Sequence, residues 1–147
     1  MTKDIITEEN KLSIGDILAN AERIKESTQL EELVALKIDR LSKVSGSGMI
    51  MAKTPNMELL MRSIEKSKNG TGRKFTYQGV DVDLDYLASN CIVEPDFGSK
   101  ELMDGLGVNK NTDVFKIVFK ETELVEIIKI LIEKMEGGVC IVEKVKN

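Results

Sequence analysis

Histidine is absent from this chain, and with it go the commonest general base near neutral pH and the commonest metal ligand. Serine–histidine and cysteine–histidine catalysis are thereby excluded. The two cysteines, Cys91 and Cys140, stand 49 positions apart with no imidazole to join them, which is not the spacing of a zinc site. Asp81, Asp83 and Asp85 alternate as the opening carboxylates of a calcium loop do, but Tyr86 occupies the place that needs glycine and Ile92 the place that needs glutamate. A solvated strand end followed by an N-cap aspartate explains the same letters. Gly70-Thr71-Gly72 lacks the further glycine and the lysine–hydroxyl pair of a phosphate loop. Two carboxylates could still act as acid and base, but no spacing singles out a pair. The expectation is therefore a non-enzymatic binding protein without catalytic residues, cofactor or metal.

Charge and hydropathy narrow the class of partner. The 21 lysines and arginines against 25 acids leave a formal charge of −4, whereas nucleic-acid affinity rests on clustered positive charge. The longest apolar runs, Ile127-Ile128 and Ile130-Leu131-Ile132, are broken by charged residues and fall short of the roughly 20 residues of a membrane span. Residues 1–10 carry acids where a signal peptide has a basic start and an apolar middle, so a cytoplasmic location is expected. Nucleic acid and membrane thus drop out, and other proteins remain. A chain of 147 residues, 41% apolar and 31% charged, suits one globular domain that buries roughly 70% of its unfolded surface.

The elements that must position any binding residues can be followed along the chain. Residues 1–12 are polar and unpatterned, an expected flexible arm, and 13–136 form the expected single domain. Ser13 is a candidate cap for a helix whose Ile14, Ile17, Leu18, Ala21 and Ile24 share a face. Leu33–Leu41 suits either a helix or a strand. Ser45-Gly46-Ser47-Gly48 followed by Met49–Lys53 favours a β-hairpin over this region. Thr54-Pro55 is expected to open a helix with threonine as cap and proline in the first turn, and Met57, Leu60, Met61 and Ile64 form its stripe. Methionines on such a stripe more often fill a core than form a promiscuous binding face. Phe75–Tyr77 and Val80–Val82 flank Gln78-Gly79 as a minor hairpin.

Asp83 is a candidate cap for a helix with Leu84, Leu87, Ala88, Cys91 and Ile92 on its apolar face, stopped by Pro95. A turn at Pro95–Gly98 leads to Ser99, the expected cap of a short helix that breaks at Gly107. A further helix is expected from Thr112 or Asp113 through Phe119. The last runs from about Thr122 to Met135, with Leu124, Val125, Ile127, Ile128, Leu131, Ile132 and Met135 in one arc and only Ile130 among the charges. Gly137-Gly138 ends it and opens a C-terminal tail, 137–147, whose Val139–Val142 either packs on its own domain or orders against a partner. The predicted fold is α+β and predominantly helical: an N-terminal helix, a β-hairpin, then four or five helices. Candidate partner contacts are Asp96 and Phe97 on the proline turn, Ile130, and Ile141 and Val142 in the tail. For Phe97 the competing expectation is a plug under its own loop.

Short motifs distributed over most of the chain resemble the XkdN-like tail assembly chaperones of PBSX-type prophages and related contractile-tailed phages. They are Val80-Asp81-Val82-Asp83-Leu84, Ile92-Val93-Glu94-Pro95-Asp96-Phe97, Lys100-Glu101-Leu102, Gly107-Val108, Glu123-Leu124 and the charged ending Val142–Asn147. Upstream, Ile14–Ala21 and Ala52-Lys53-Thr54-Pro55 are more loosely similar to that family's opening helix and strand-to-helix junction. Thr122 stands where the family tends to have glycine, and the central loop departs from its pattern. The resemblance implies a cytoplasmic protein of the phage-producing bacterial cell that binds the tape measure protein, with the tail tube protein as a second candidate partner. A structural tail or baseplate component is the alternative expectation.

Overall fold

Helices outweigh strands in the computed structural model, which describes residues 11–29 and 32–136. The protein is α+β with small antiparallel sheets, as the patterning predicts. The chain divides into two units, Glu31–Glu136 and a second made of Met1–Leu30 with Gly137–Asn147. The expected domain start at residue 13 falls inside the second of these. Of the expected arm only Lys11 and Leu12 are described, and the tail 137–147 lies outside the described residues.

In the second unit, Ser13 caps α1 (Ile14–Ala19) through a reciprocal pair: Asp16 N–H donates to Ser13 Oγ and Ser13 N–H to Asp16 Oδ2. The single helix expected here is interrupted at Asn20. Its backbone leaves helical geometry at φ −119°, ψ 19°, and its side-chain amide donates to the Asp16 carbonyl. That competing bond closes the first helix, and α2 (Ala21–Gln29) follows.

In Glu31–Glu136, β1 (Leu33–Lys37) pairs antiparallel with β2 (Met49–Lys53), which pairs in turn with β5 (Ile92–Glu94). The expected hairpin is thus an antiparallel pair, but its connection is a helix, α3 (Asp39–Ser45), and not a loose serine–glycine turn. The Ile38 carbonyl accepts from Ser42 N–H to start that helix, and Gly46, at φ 83°, closes it in the left-handed cap that glycine adopts without strain. A side chain at Gly48 would run into the Ile38 carbonyl and the Ser42 backbone.

The helix start at Thr54-Pro55 is also displaced. Thr54 N–H donates to the Glu32 carbonyl and its Oγ1 accepts from Glu32 N–H, so Thr54 finishes the β1–β2 ladder. Asn56 is the cap, its Oδ1 accepting from Leu59 N–H at 2.7 Å, and α4 spans Met57–Asn69. The stripe splits: Leu60 and Ile64 pack against the core, but Met57 and Met61 are 62% and 57% exposed. Ser63 and Ser67 are buried instead, because α4 lies against β4 (Val80–Asp83) closely enough for hydroxyls to reach the strand. Ser63 Oγ accepts from Asp83 N–H and donates to the Asp83 carbonyl, while Ser67 Oγ reaches the Asp81 carbonyl.

β3 (Lys74–Tyr77) and β4 form the expected minor hairpin. Gln78 and Gly79 both take positive φ, 50° and 80°, the two-residue geometry that matches strand twist. Asp83 caps α5 (Leu84–Cys91) as predicted, accepting from Tyr86 N–H. The helix ends one residue before Ile92, which instead pairs with Ala52 of β2. Ser99 caps α6 (Lys100–Leu106), with Gly107 at its left-handed C-terminal position. α7 (Asn111–Val118) and α8 (Glu121–Met135) complete the unit. Leu84, Leu87, Cys91, Leu124, Ile128 and Leu131 are fully or almost fully buried, so the core joins α5 to the inward arc of α8 as expected.

An ion pair reaches from the edge of that core into it. Asp85 on α5 is completely buried, and Arg73, just before β3, grips it with Nη2 at 2.8 Å from Oδ1 and its own N–H at 2.7 Å from Oδ2. The same guanidinium donates to the carbonyls of Phe115 and Phe119 at the end of α7. Gly72 has to be small, since a Cβ there would overlap the Asp83 carboxylate. Removing one partner of such a part-buried pair leaves the other charge uncompensated. Asp85→Ala is therefore expected to cost about 3–5 kcal/mol, measured by urea unfolding, and Asp85→Asn, which keeps an acceptor, to cost less.

Candidate functional site

Asp81, Asp83 and Asp85 point to different partners. Asp81 accepts from the Thr76 hydroxyl, Asp83 caps α5 and Asp85 holds Arg73. Among the described residues, no group of three or more histidine, cysteine or acidic side chains is arranged to hold a metal ion. No helix among them is long and apolar enough to cross a membrane.

Three of the candidate contact residues, Asp96, Phe97 and Ile130, are among the described residues. Asp96 is exposed and is held by its own turn, Oδ1 accepting from Gly98 N–H. Phe97 is not presented by that turn: it is 6% exposed, with its ring centroid 4.9 Å from that of Phe115 and 5.6 Å from that of Phe119. The proline turn directs the ring inward because three aromatic rings there close the gap beside α7, so Phe97 is the plug and not the contact. Ile130 is 39% exposed, as its place among the charges of α8 predicts. Ile141 and Val142 lie outside the described residues.

Ile130 borders a groove that the sequence did not announce. A cavity of about 210 Å³ opens between the end of β1 and α8, with Leu36, Ile38, Ile127 and Ile130 as its apolar lining. Arg40 and Glu123 form its polar end. Arg40 Nε and Nη2 meet the two carboxylate oxygens of Glu123 at 3.0 and 2.8 Å, and Nη2 also donates to the Val118 carbonyl. Glu123 further accepts from Lys120 N–H at 2.8 Å, so it starts α8 while anchoring α3. The hydrogen bonds from Arg40 chiefly, with the Lys120 N–H and nearby positive charge in support, hold the Glu123 carboxyl below the usual glutamate range against the opposing effect of burial. The Arg40 guanidinium is correspondingly raised by Glu123. The two partners are 83 residues apart, and no local periodicity signals their meeting.

The chain matches no protein-family model, no curated protein and no solved structure.

Because the folded-state pKa of Glu123 lies below its unfolded value, the ionised pair adds stability above the ordinary glutamate range, and that increment is lost as pH falls through the depressed value. Glu123→Gln should melt several degrees lower than the parent chain near neutral pH, with the two melting curves converging in acid. Phe97→Ser should cost about 3–5 kcal/mol, as loss of a core aromatic does, and would appear as a lowered thermal transition whether or not a partner is present.

Proposed function

We propose that this chain is a phage tail assembly chaperone that binds the tape measure protein, and in a second role tail tube subunits, in the cytoplasm of the producing cell. The resemblance to XkdN-like chaperones is the starting point, and its motifs fall at positions that organise the fold. Val80–Leu84 joins β4 to α5, Ile92–Phe97 spans β5 and the aromatic plug, Lys100–Leu102 opens α6 and Glu123-Leu124 lies in the first turns of α8.

The observation that carries the binding role is the outward position of large, adaptable apolar side chains. Leu33, Met49, Met57 and Met61 are each 57–67% exposed, although the unit has a complete core without them. Methionine is flexible and polarizable, so such side chains can repack against more than one apolar face. An elongated client with apolar stripes tends to self-associate, and an acidic partner that covers those stripes adds repulsion between complexes. The formal charge of −4 fits that role.

Co-expression with the tape measure protein is expected to move that protein into the soluble fraction as a complex with this chain. No complex and no gain in solubility would count against the proposal. Recovery of the chain in purified particles at the level of tail subunits, by mass spectrometry, would favour a structural tail component instead.

A further inference from the structure

Among the described residues, β1 pairs with a strand on one side only. Ile38 N–H donates to the Gly48 carbonyl and Thr54 N–H to the Glu32 carbonyl, so residues 32, 34, 36 and 38 turn their backbone groups to β2. The alternation of an antiparallel ladder then directs the N–H and C=O of Leu33, Ala35 and Lys37 away from the sheet. All three residues are exposed, and no described strand lies on that side. Soluble proteins blunt such an edge with proline, a bulge, inward charge or a covering element. Leu33-Val34-Ala35-Leu36-Lys37 keeps an unbroken register with β2 and carries its first charge at the last position.

α8 lies alongside this edge. Arg40 pairs with Glu123 beyond one end of β1, and Glu32 with Lys134, at 3.4 Å, before the other, which sets helix and strand antiparallel. The cavity lined by Leu36, Ile127 and Ile130 lies between them. Its lining holds two cations, Lys37 and Arg40, and three carboxylates, Asp39, Glu123 and Glu126, a net charge of −1.

We propose that this groove takes up an extended segment of the client polypeptide, which adds to β1 as a further strand. One of its apolar side chains occupies the cavity against Ile127 and Ile130, and a neighbouring lysine or arginine faces Asp39 and Glu126. The occupant has to be a polypeptide strand, because three donors and three acceptors at alternating residues are met by another extended backbone and not by a helix or a small molecule. The net acidity of the lining selects a basic flank. It also disfavours a second copy of this chain, which brings the same excess of acid. Taking the tape measure protein as the source of the segment rests on the function proposed above.

The test uses the full chain with two probes: the tape measure protein, and a displayed library of random peptides of about ten residues, long enough to span one strand. Ala35→Pro removes an outward N–H that makes no ladder bond, where an edge strand tolerates proline. Glu126→Lys reverses a charge on the exposed side of α8 and decides the matter if the proline variant does not fold. Each is expected to weaken binding of the tape measure protein at least about tenfold with the thermal transition unchanged. Library peptides should be enriched in alternating apolar residues beside a basic one, and Ala35→Pro should lose them. Undiminished binding of the tape measure protein by folded variants overturns the groove while leaving the chaperone function standing. Groove-dependent peptide capture without any binding of the tape measure protein supports the groove and removes the chaperone function. No enrichment, or a dimer that Ala35→Pro dissolves, overturns the groove.

Discussion

The C-terminal end of α7 is the place on which the larger unit depends. A helix ends with carbonyls that have no partner inside it, and here they are supplied by two arginines that arrive from different parts of the chain. Arg73 donates to the Phe119 carbonyl and to that of Phe115, which the Phe119 N–H also bonds, and Arg40 donates to the Val118 carbonyl. Positive charge at this end also suits the helix dipole. Each guanidinium is oriented by a carboxylate from another helix, Asp85 of α5 and Glu123 of α8. Four segments are thereby brought to one corner: the loop before β3, α3, α5 and α8.

At and near that corner, acidic side chains are committed to structural bonds. Asp85 is spent on Arg73, Glu123 on Arg40 and on the start of α8, and Asp83 on the cap of α5. Serines act in the same way, as Ser63 and Ser67 of α4 stitch that helix to β4. None of the buried polar side-chain atoms among the described residues lacks a partner. In a medium of low dielectric such satisfied networks specify one arrangement of the elements, which leaves apolar groups outside the core free for other surfaces.

Those outer groups give the binding proposals their physical content. Met57 and Met61 project from α4 because its serines occupy the inward face, and Leu33 and Met49 project from the sheet because their neighbours Val34 and Ile50 point inward. The open side of β1 and the groove beside α8 add main-chain hydrogen-bonding capacity to this apolar surface. On those proposals, flexible side chains and a strand edge that no described strand covers are complementary means of holding a polypeptide, one adapting to shape and the other bonding the main chain.

What depended on local chemistry was legible in the sequence alone. The arc of α8, the apolar face of α5, the caps at Ser13, Asp83 and Ser99, and the Gln78-Gly79 turn follow from spacing and from side chains that bond within three or four residues. Tertiary structure decided the rest, wherever a residue had a distant competitor for its local role. Thr54 could have capped α4 but bonds Glu32, 22 residues away, and Met57 and Met61 yielded the interior to serines that meet β4. Phe97 turned inward because Phe115 and Phe119 were there to receive it. Arg40 and Glu123 show the limit most clearly. Periodicity reports which face of an element is apolar, but a charged pair formed across 83 residues exists only once the chain has folded and brought the two groups together.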